Sequence, residues 1–359
     1  MISLETYNKS ELQNLVESEK YTAFQFCPIS KHRAISHINN PRASDNDTLL
    51  ILIYYDNRLA GYMGILPDVM QLDSKRIKVG WLSTLYVDPH YRGKRLGQLL
   101  LAKASEDYNN YVIITEYTPE AERMYIKSKL FTSKVTVEGT SFYYRSNLQH
   151  ILPTKNNKWN SLSLALKSID SILNIYSNIK YKLLTRKENN YHIIEKLDQE
   201  SKTFINKSGK NGTFNRKNRE LEWVSNYPWI EESADKIDLN YQFSSYAREF
   251  KFIFIKVYNK KNLIAVLMIS IRNKTAKLLH SFATDHQKAA KALHHCMIKN
   301  KIINLISFDD SINECLHNQS FLFKKERKRH FMYHADLKQT IGDKDIIEFK
   351  GGDGDTLFT

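Results

Sequence analysis

One stretch constrains the chain more than any other: Leu85-Tyr86-Val87-Asp88-Pro89-His90-Tyr91-Arg92-Gly93-Lys94-Arg95-Leu96-Gly97-Gln98-Leu99-Leu100. An apolar strand runs to Asp88-Pro89, and a short basic loop follows. From Leu96 onward, Leu99, Leu100, Ala104 and Tyr108 recur at helical spacing. The first amides of such a helix have no partners within it and lie at its positive dipole end. A strand, loop and helix in this order make a site for a pyrophosphate. Gly93 and Gly97 permit close backbone approach, and Arg92, Lys94 and Arg95 add charge. The alternative is a solvated basic loop.

The flanking sequence places this unit in a mixed α/β layer. Thr48–Tyr55, a turn at Asp56-Asn57 and Leu59–Leu66 read as a β-hairpin, with a further strand at Val79–Val87. After the helix comes an apolar strand, Tyr111–Thr115, and then a helix opening at Thr118-Pro119-Glu120, where Thr118 caps and Pro119 suits the first position. At 359 residues the chain is long enough for two domains. Composition turns polar at Asn147–Asn157, which puts a first domain at 1–150, a linking helix within 151–179 and a second domain at 180–359. The second half repeats the order: a strand at Tyr181–Arg186, a helix at Tyr191–Phe204 and a hairpin at Phe252–Ser270. A strand at Ala276–Phe282, a helix at Gln287–Lys299, a strand at Asn304–Phe308 and a helix at Ser311–His317 complete it.

Arg92-Gly93-Lys94-Arg95-Leu96-Gly97 resembles the cofactor loop of the GNAT superfamily of N-acetyltransferases, R/Q-x-x-G-x-G/A. Arg95 stands where that family usually has glycine. A residue with a Cβ fits there if φ stays negative, as in a first helical turn. Ala121-Glu122-Arg123-Met124-Tyr125-Ile126-Lys127-Ser128-Lys129-Leu130 resembles the family's A-x-x-L-Y-x-x-x-G-F segment, with Lys129 for glycine and Phe131 one position late. The resemblance covers residues 1–148; for 180–359 it rests on element order. It implies a mixed, mostly antiparallel central sheet flanked by helices, in two tandem GNAT-like domains. It also implies transfer of an acetyl group from acetyl-CoA to a primary amine by direct attack, without a metal. The cofactor would be held by Leu85, Tyr86, Val87, Arg92, Gly93, Lys94, Arg95, Leu96, Gly97 and Gln98. A backbone N–H near Leu85 would support the thioester oxygen, and Tyr125 stands at the family's position for the acid that protonates the departing sulfur. Glu116, just past a strand, is the candidate base.

The other features are less specific. A net charge of +14 calls for an anionic partner without naming one, and the cations are scattered without a nucleic-acid-binding signature, which disfavours nucleic acid. The apolar runs are too short to span a bilayer, and Cys27, Cys296 and Cys315 form neither a disulfide framework nor a zinc pattern, so a cytoplasmic protein is expected. Cys27–Ala43, with Lys31, His32, Arg33, His37 and Arg42, covers the acceptor side by the resemblance, and such a lid suits an anionic acceptor, small molecule or protein. In the second half, Ala283-Thr284-Asp285-His286-Gln287-Lys288-Ala289 lacks arginine and glycine and adds a carboxylate, and Cys315 falls opposite Tyr125. That half reads as a degenerate, non-catalytic repeat. Arg216–Pro228 reads as a helix that lines the acceptor site or packs on the sheet, and Gly351–Asp355 as a turn before a final strand, Thr356–Thr359. A CoA-binding sensor without transfer activity and a nucleic-acid-binding protein stand as alternatives.

Overall fold

Long buried strands frame the molecule. Every residue from Leu59 to Asp68 is buried, so this strand is covered on both faces. The computed structural model describes residues 1–72, 75–184, 190–209, 211–235, 237, 239–342 and 347–358. In chain order the elements are β1 (Ile2–Tyr7), α1 (Lys9–Glu17), α2 (Glu19–Thr22), α3 (Lys31–Ile38), β2 (Leu50–Tyr55), β3 (Arg58–Gln71), β4 (Arg76–Val87), α4 (Leu96–Asp107), β5 (Val112–Thr115), α5 (Pro119–Ser128) and β6 (Phe131–Tyr143). There follow α6 (Leu148–Lys155), α7 (Ser163–Leu184), β7 (Tyr191–Ile194), α8 (Gln199–Lys207), α9 (Asn218–Asn226), β8 (Glu231–Glu232) and β9 (Tyr246–Ala247). The remainder is β10 (Phe250–Asn259), β11 (Asn262–Arg272), β12 (Thr275–Ala283), α10 (His286–Lys299), β13 (Asn304–Ser307), α11 (Asp310–His317), β14 (Phe323–His334) and α12 (Ala335–Ile341). A 3₁₀ helix, Gly354–Phe358, follows near the end.

Two compact units result, and neither is a single stretch of sequence. The first comprises 1–137, 209–248 and 329–359; the second comprises 138–208 and 249–328. In the first, the strand order is β1-β2-β3-β4-β5-β14, antiparallel except for β4 and β5. In the second it is β6-β13-β12-β11-β10-β7, antiparallel except for β12 and β13. The repeated plan is therefore present, but each sheet is completed by a strand from the other half of the sequence. Phe331–Tyr333 pairs with Ile113–Thr115, and Thr140–Tyr143 pairs with Asn304–Ser307. These units depart from 1–150 and 180–359. A polar stretch marks a surface turn, whereas the open edge of a short buried strand such as β5 requires a partner wherever the sequence supplies one.

Each layer follows from its apolar pattern. Leu96, Leu100, Leu101 and Ala104 of α4 pack with Ile51, Ile53, Met63 and Ile65 on one face of the first unit's sheet. Leu12, Leu15 and Val16 of α1 cover Leu50, Leu52 and Tyr62 on the other. In the second unit, α10 packs Ala289, Leu293 and Met297 on Ile253, Leu267 and Ile269. Three local expectations are corrected. Tyr181–Leu184 ends α7 and is not a strand, while residues 185–186 lie outside the described residues. Tyr191–Ile194 is an edge strand on β10, and the helix expected there begins at Gln199, where Asp198 caps the amide of Ser201. The tail forms a 3₁₀ helix instead of a strand, with Thr359 outside the described residues. Helix α9 buries Leu221, Trp223 and Val224, with Trp223 edge-on to Phe358. Among the described residues, no helix is long and apolar enough to cross a membrane.

The exchanged strands generate a test. A fragment 1–150 lacks β14 and the tail, so its circular dichroism melt should show no cooperative transition, whereas the full chain should melt cooperatively. A cooperative melt of the fragment would mean that β5 needs no partner.

Candidate functional site

The site begins with an irregularity in β4. Thr84 has φ +58, and the pairing register of β3 and β4 shifts between Tyr62 and Gly64. A bulge of this kind re-aims the residues beyond it. β4 pairs with β5 only over Gly80–Leu82, so from Ser83 to Val87 it runs on without a β5 residue opposite, among the described residues. Leu85, Tyr86 and Val87 are half-buried along that opening. Their backbone groups are thus available to a ligand.

The basic loop follows. Asp88 accepts from the amide of His90 and starts a single 3₁₀ turn, Pro89–Tyr91. Arg92, Gly93, Lys94 and Arg95 are exposed, Gly93 has φ +83, and a Cβ there would meet nothing. Arg95 is the N-cap of α4, and no side chain caps that helix among the described residues. The amide of Gln98 donates to the Arg95 carbonyl, which leaves those of Leu96 and Gly97 to face an anion. Arg95 does not adopt the negative φ expected of it; it sits at +61. Lys129 likewise sits at +59 as the C-cap of α5. Both adopt the left-handed backbone that favours glycine, at a steric cost of ~1–2 kcal/mol each. Gly97 serves packing, since a Cβ would come within 2.9 Å of Met124 Sδ on α5. Lys94 Nζ lies 3.5 Å from the centroid of the Tyr55 ring. The Leu96 side chain is buried in the core, so only its backbone faces a ligand, while Gln98 is exposed.

Beside the opening, the structure gathers groups distant in sequence. Tyr125 is buried on α5, with its ring edge-on to Tyr117 at 6.0 Å. Burial first, and then the carboxyl of Asp355, push its hydroxyl well above the ordinary tyrosine range, so it stays protonated. Glu116 follows β5 with φ +50, and its carboxylate lies 3.1 Å from Arg329 Nη2. Arg329 Nη1 donates to the Gly351 carbonyl at 2.7 Å and to Thr356 Oγ1 at 3.3 Å. Asp355 hangs from the 3₁₀ helix that contacts β4 and β5. Its Oδ1 is buried and accepts no hydrogen bond among the described residues. Burial, reinforced by Glu116 and opposed by Arg33 and Arg329, pushes its carboxyl up to about 7.

The tail is locked in this position. Asp353 meets Arg216 Nε at 3.5 Å and accepts from the amide of Lys350 at 2.7 Å. Arg216 also binds Asp68 at 2.6 Å. Phe358 stacks on Trp229 at 4.2 Å, Phe349 stacks on Phe331 at 4.0 Å, and Gly354 lies so close to the Trp81 ring that a Cβ would come within 2.7 Å. Sequence reasoning missed Asp355, Asp353 and Arg329. The signal was Gly351-Gly352-Asp353-Gly354-Asp355, in which small residues allow an acid to be packed against an indole.

The basic lid is mostly internal. Arg33 is buried 3.6 Å over the Trp229 ring and donates to Ser83 Oγ at 2.9 Å. Arg42 binds Asp68 and Glu220. His37 is fully buried, its pKa lowered to about 3 by burial and then by Arg33, so it is neutral. Of the five residues only Lys31 is exposed. Next to the loop, a cleft of about 540 Å³ is lined by Gln25, Phe26, Arg58, Tyr86, His90 and Tyr91. In the second unit Asp285 accepts from the amide of Lys288, so the α10 N-terminus is capped by its own acid. Among the described residues, no cluster of acids, histidines or cysteines could hold a metal ion.

Residues 10–125 match the acetyltransferase (GNAT) family. That segment includes the basic loop and ends at Tyr125. No curated protein matches the chain. The fold resembles a GCN5-related N-acetyltransferase from Anabaena variabilis, with 11% identity, a TM-score of 0.51 and coverage of 92% of this chain and 72% of that one. It also resembles a conserved protein of unknown function from Enterococcus faecalis, described as a probable N-acyltransferase, with 11% identity, a TM-score of 0.53 and coverage of 95% and 74%. The mixed, largely antiparallel sheets flanked by helices are thus a GNAT fold. The family match supports acyl transfer as the class of reaction, with an acyl-CoA as donor.

Two predictions follow from the site's backbone and charge. Arg95→Gly should raise the unfolding free energy by about 1 kcal/mol, read by denaturant titration, because glycine bears no penalty at positive φ. Asp355 holds its proton up to about 7 in the folded chain, while an unfolded aspartate releases it near about 3.9. Between those limits the folded state binds more protons at this group, so its contribution to stability falls as pH rises. The stability of Asp355→Asn relative to wild type should therefore improve from about pH 4 to about pH 7, and the effects of buried histidines cancel in that difference. A flat difference would show that Asp355 ionises normally.

Proposed function

We propose that the chain is an N-acetyltransferase that moves an acetyl group from acetyl-CoA to a primary amine by direct attack, using the first unit. The observation that supports this most is the uncapped N-terminus of α4 behind Arg92 and Gly93, opening beside the stretch of β4 that has no β5 residue opposite. The open amides and the cations Arg92 and Arg95 take the pyrophosphate, and Leu85–Val87 pair with the amide-bearing arm through their backbone. The N–H near Leu85 donates to the thioester oxygen as charge develops there.

The acceptor nitrogen bonds to the acyl carbon while the carbon–sulfur bond breaks, so one proton leaves nitrogen and one reaches sulfur. Tyr125 donates the second, since its hydroxyl stays protonated near neutrality. Asp355 takes the first. Its carboxyl is poised near neutral pH, whereas the candidate base Glu116 is held by Arg329. Glu116 and Arg329 then act as fixed charges that position Asp355. In this reading the second unit is a degenerate, non-catalytic repeat. A CoA-binding sensor without transfer activity remains the alternative reading of the same site.

Calorimetric titration of acetyl-CoA should show binding to the wild type that is lost in Arg92→Ala/Gly97→Glu. Absence of binding to the wild type would sink the proposal. With an acceptor amine in hand, Tyr125→Phe should lower kcat by about 10²–10⁴ with little change in KM. Asp355→Asn should remove the limb near pH 7 from the pH–rate profile, while Glu116→Gln should only shift it.

A further inference from the structure

Helix α7 of the second unit has more apolar surface than it buries against its own protein. Its inner face is mixed: Leu166 and Tyr181 are buried, Asp170 accepts from Ser146 Oγ and from the amides of Leu148 and Gln149, and Asn174 exchanges hydrogen bonds with the Ser146 backbone. Its outer face is apolar. Leu164, Ile169, Ile172, Ile175, Tyr176 and Ile179 are all exposed, with Leu164 at 80%, Ile172 at 67% and Ile179 at 63%. At 3.6 residues per turn these six fall within an arc of about 140° and along ~23 Å of helix. An exposed apolar face of this kind, interrupted by Ser168, marks an interaction surface.

The surrounding charge identifies the occupant. From Leu148 to Leu184 the chain carries Lys155, Lys158, Lys167, Lys180 and Lys182 against a single acid, Asp170, which is consumed in holding the helix. By helical geometry Lys180 and Lys182 flank the two borders of the apolar arc, so their stems can lie along it with the ammonium groups at its rim. A second copy docked through this face would bring lysines against lysines with no carboxylate to offset them. A layer of anionic headgroups over hydrocarbon complements both features at once. Trp159 and Tyr176, each an aromatic with a polar edge, suit the boundary between the two layers. We propose that α7 is an in-plane membrane anchor, which lays its exposed isoleucine face into the surface of an anionic bilayer without spanning it. This does not depend on the catalytic reading of the first unit.

The test is flotation of the full chain with vesicles of phosphatidylcholine alone and of phosphatidylcholine mixed with phosphatidylglycerol. The chain should float with the mixed vesicles at low salt and not with phosphatidylcholine alone. Ile172→Glu/Ile179→Glu should weaken that binding by about tenfold or more, and Lys180→Glu/Lys182→Glu should weaken it too. The unchanged melting of each variant serves as the folding control. Trp81, Trp223 and Trp229 are buried and Trp159 is exposed, so a blue shift of tryptophan emission on binding reports Trp159 entering the bilayer. No flotation with the mixed vesicles, or flotation that both variants leave unchanged, overturns the proposal. So does a dimer in sedimentation equilibrium that Ile172→Glu/Ile179→Glu dissolves, since a second copy would then cover the face.

Discussion

Asp68 is buried on β3, where its carboxylate accepts from Arg42 Nη1 at 2.6 Å, Arg216 Nη2 at 2.6 Å, Trp81 Nε1 at 3.0 Å and its neighbour's amide. Arg216 carries the network on to Asp353. The two guanidiniums hold Asp68 below the usual carboxylate range against the opposing effect of burial. Removing one partner from such a network leaves an uncompensated buried charge, typically costing ~3–5 kcal/mol. Its structural consequence is larger than its energy. It joins segments from β3, the loop after α3, the approach to α9 and the C-terminal tail, all within one unit. Asp355 can therefore hang beside the open end of β4.

The exchanged strands serve the same end. Each unit places a short parallel strand, β5 or β13, beside a longer one that bends away. The outer edge of that short strand then needs an antiparallel partner. β14 supplies it in the first unit, and the same strand delivers Arg329 to Glu116 and the Gly351 carbonyl. One strand thus finishes the sheet and furnishes the site. The tail that follows it ends against Trp81 and Trp229.

The loop half of the candidate site was legible in sequence because it is local. Strand end, loop and helix start lie within sixteen residues, and their backbone chemistry depends on near neighbours. Even there, the sign of φ at Arg95 was misjudged. A residue with a Cβ suggests negative φ, yet the loop path requires the left-handed conformation and the surrounding fold bears its cost. The rest was not legible. Arg33, His37 and Arg42 read as a basic lid by residue type, but two buried partners, Trp229 and Asp68, draw them inward.

The sequence by itself determined the elements whose pattern is complete within a few turns of chain: the β-hairpins, α4 with the basic loop before it, α5 with Tyr125, and the repeat of that order in the second half. Short-range periodicity and capping suffice for those. Tertiary structure alone decided which strand closes each sheet, where the compact units divide, and that a glycine-rich acidic tail reaches the mouth of the site. Those outcomes turn on pairing an open strand edge and on neutralising buried charge, and both bring together residues separated by hundreds of positions with no local trace of their partners.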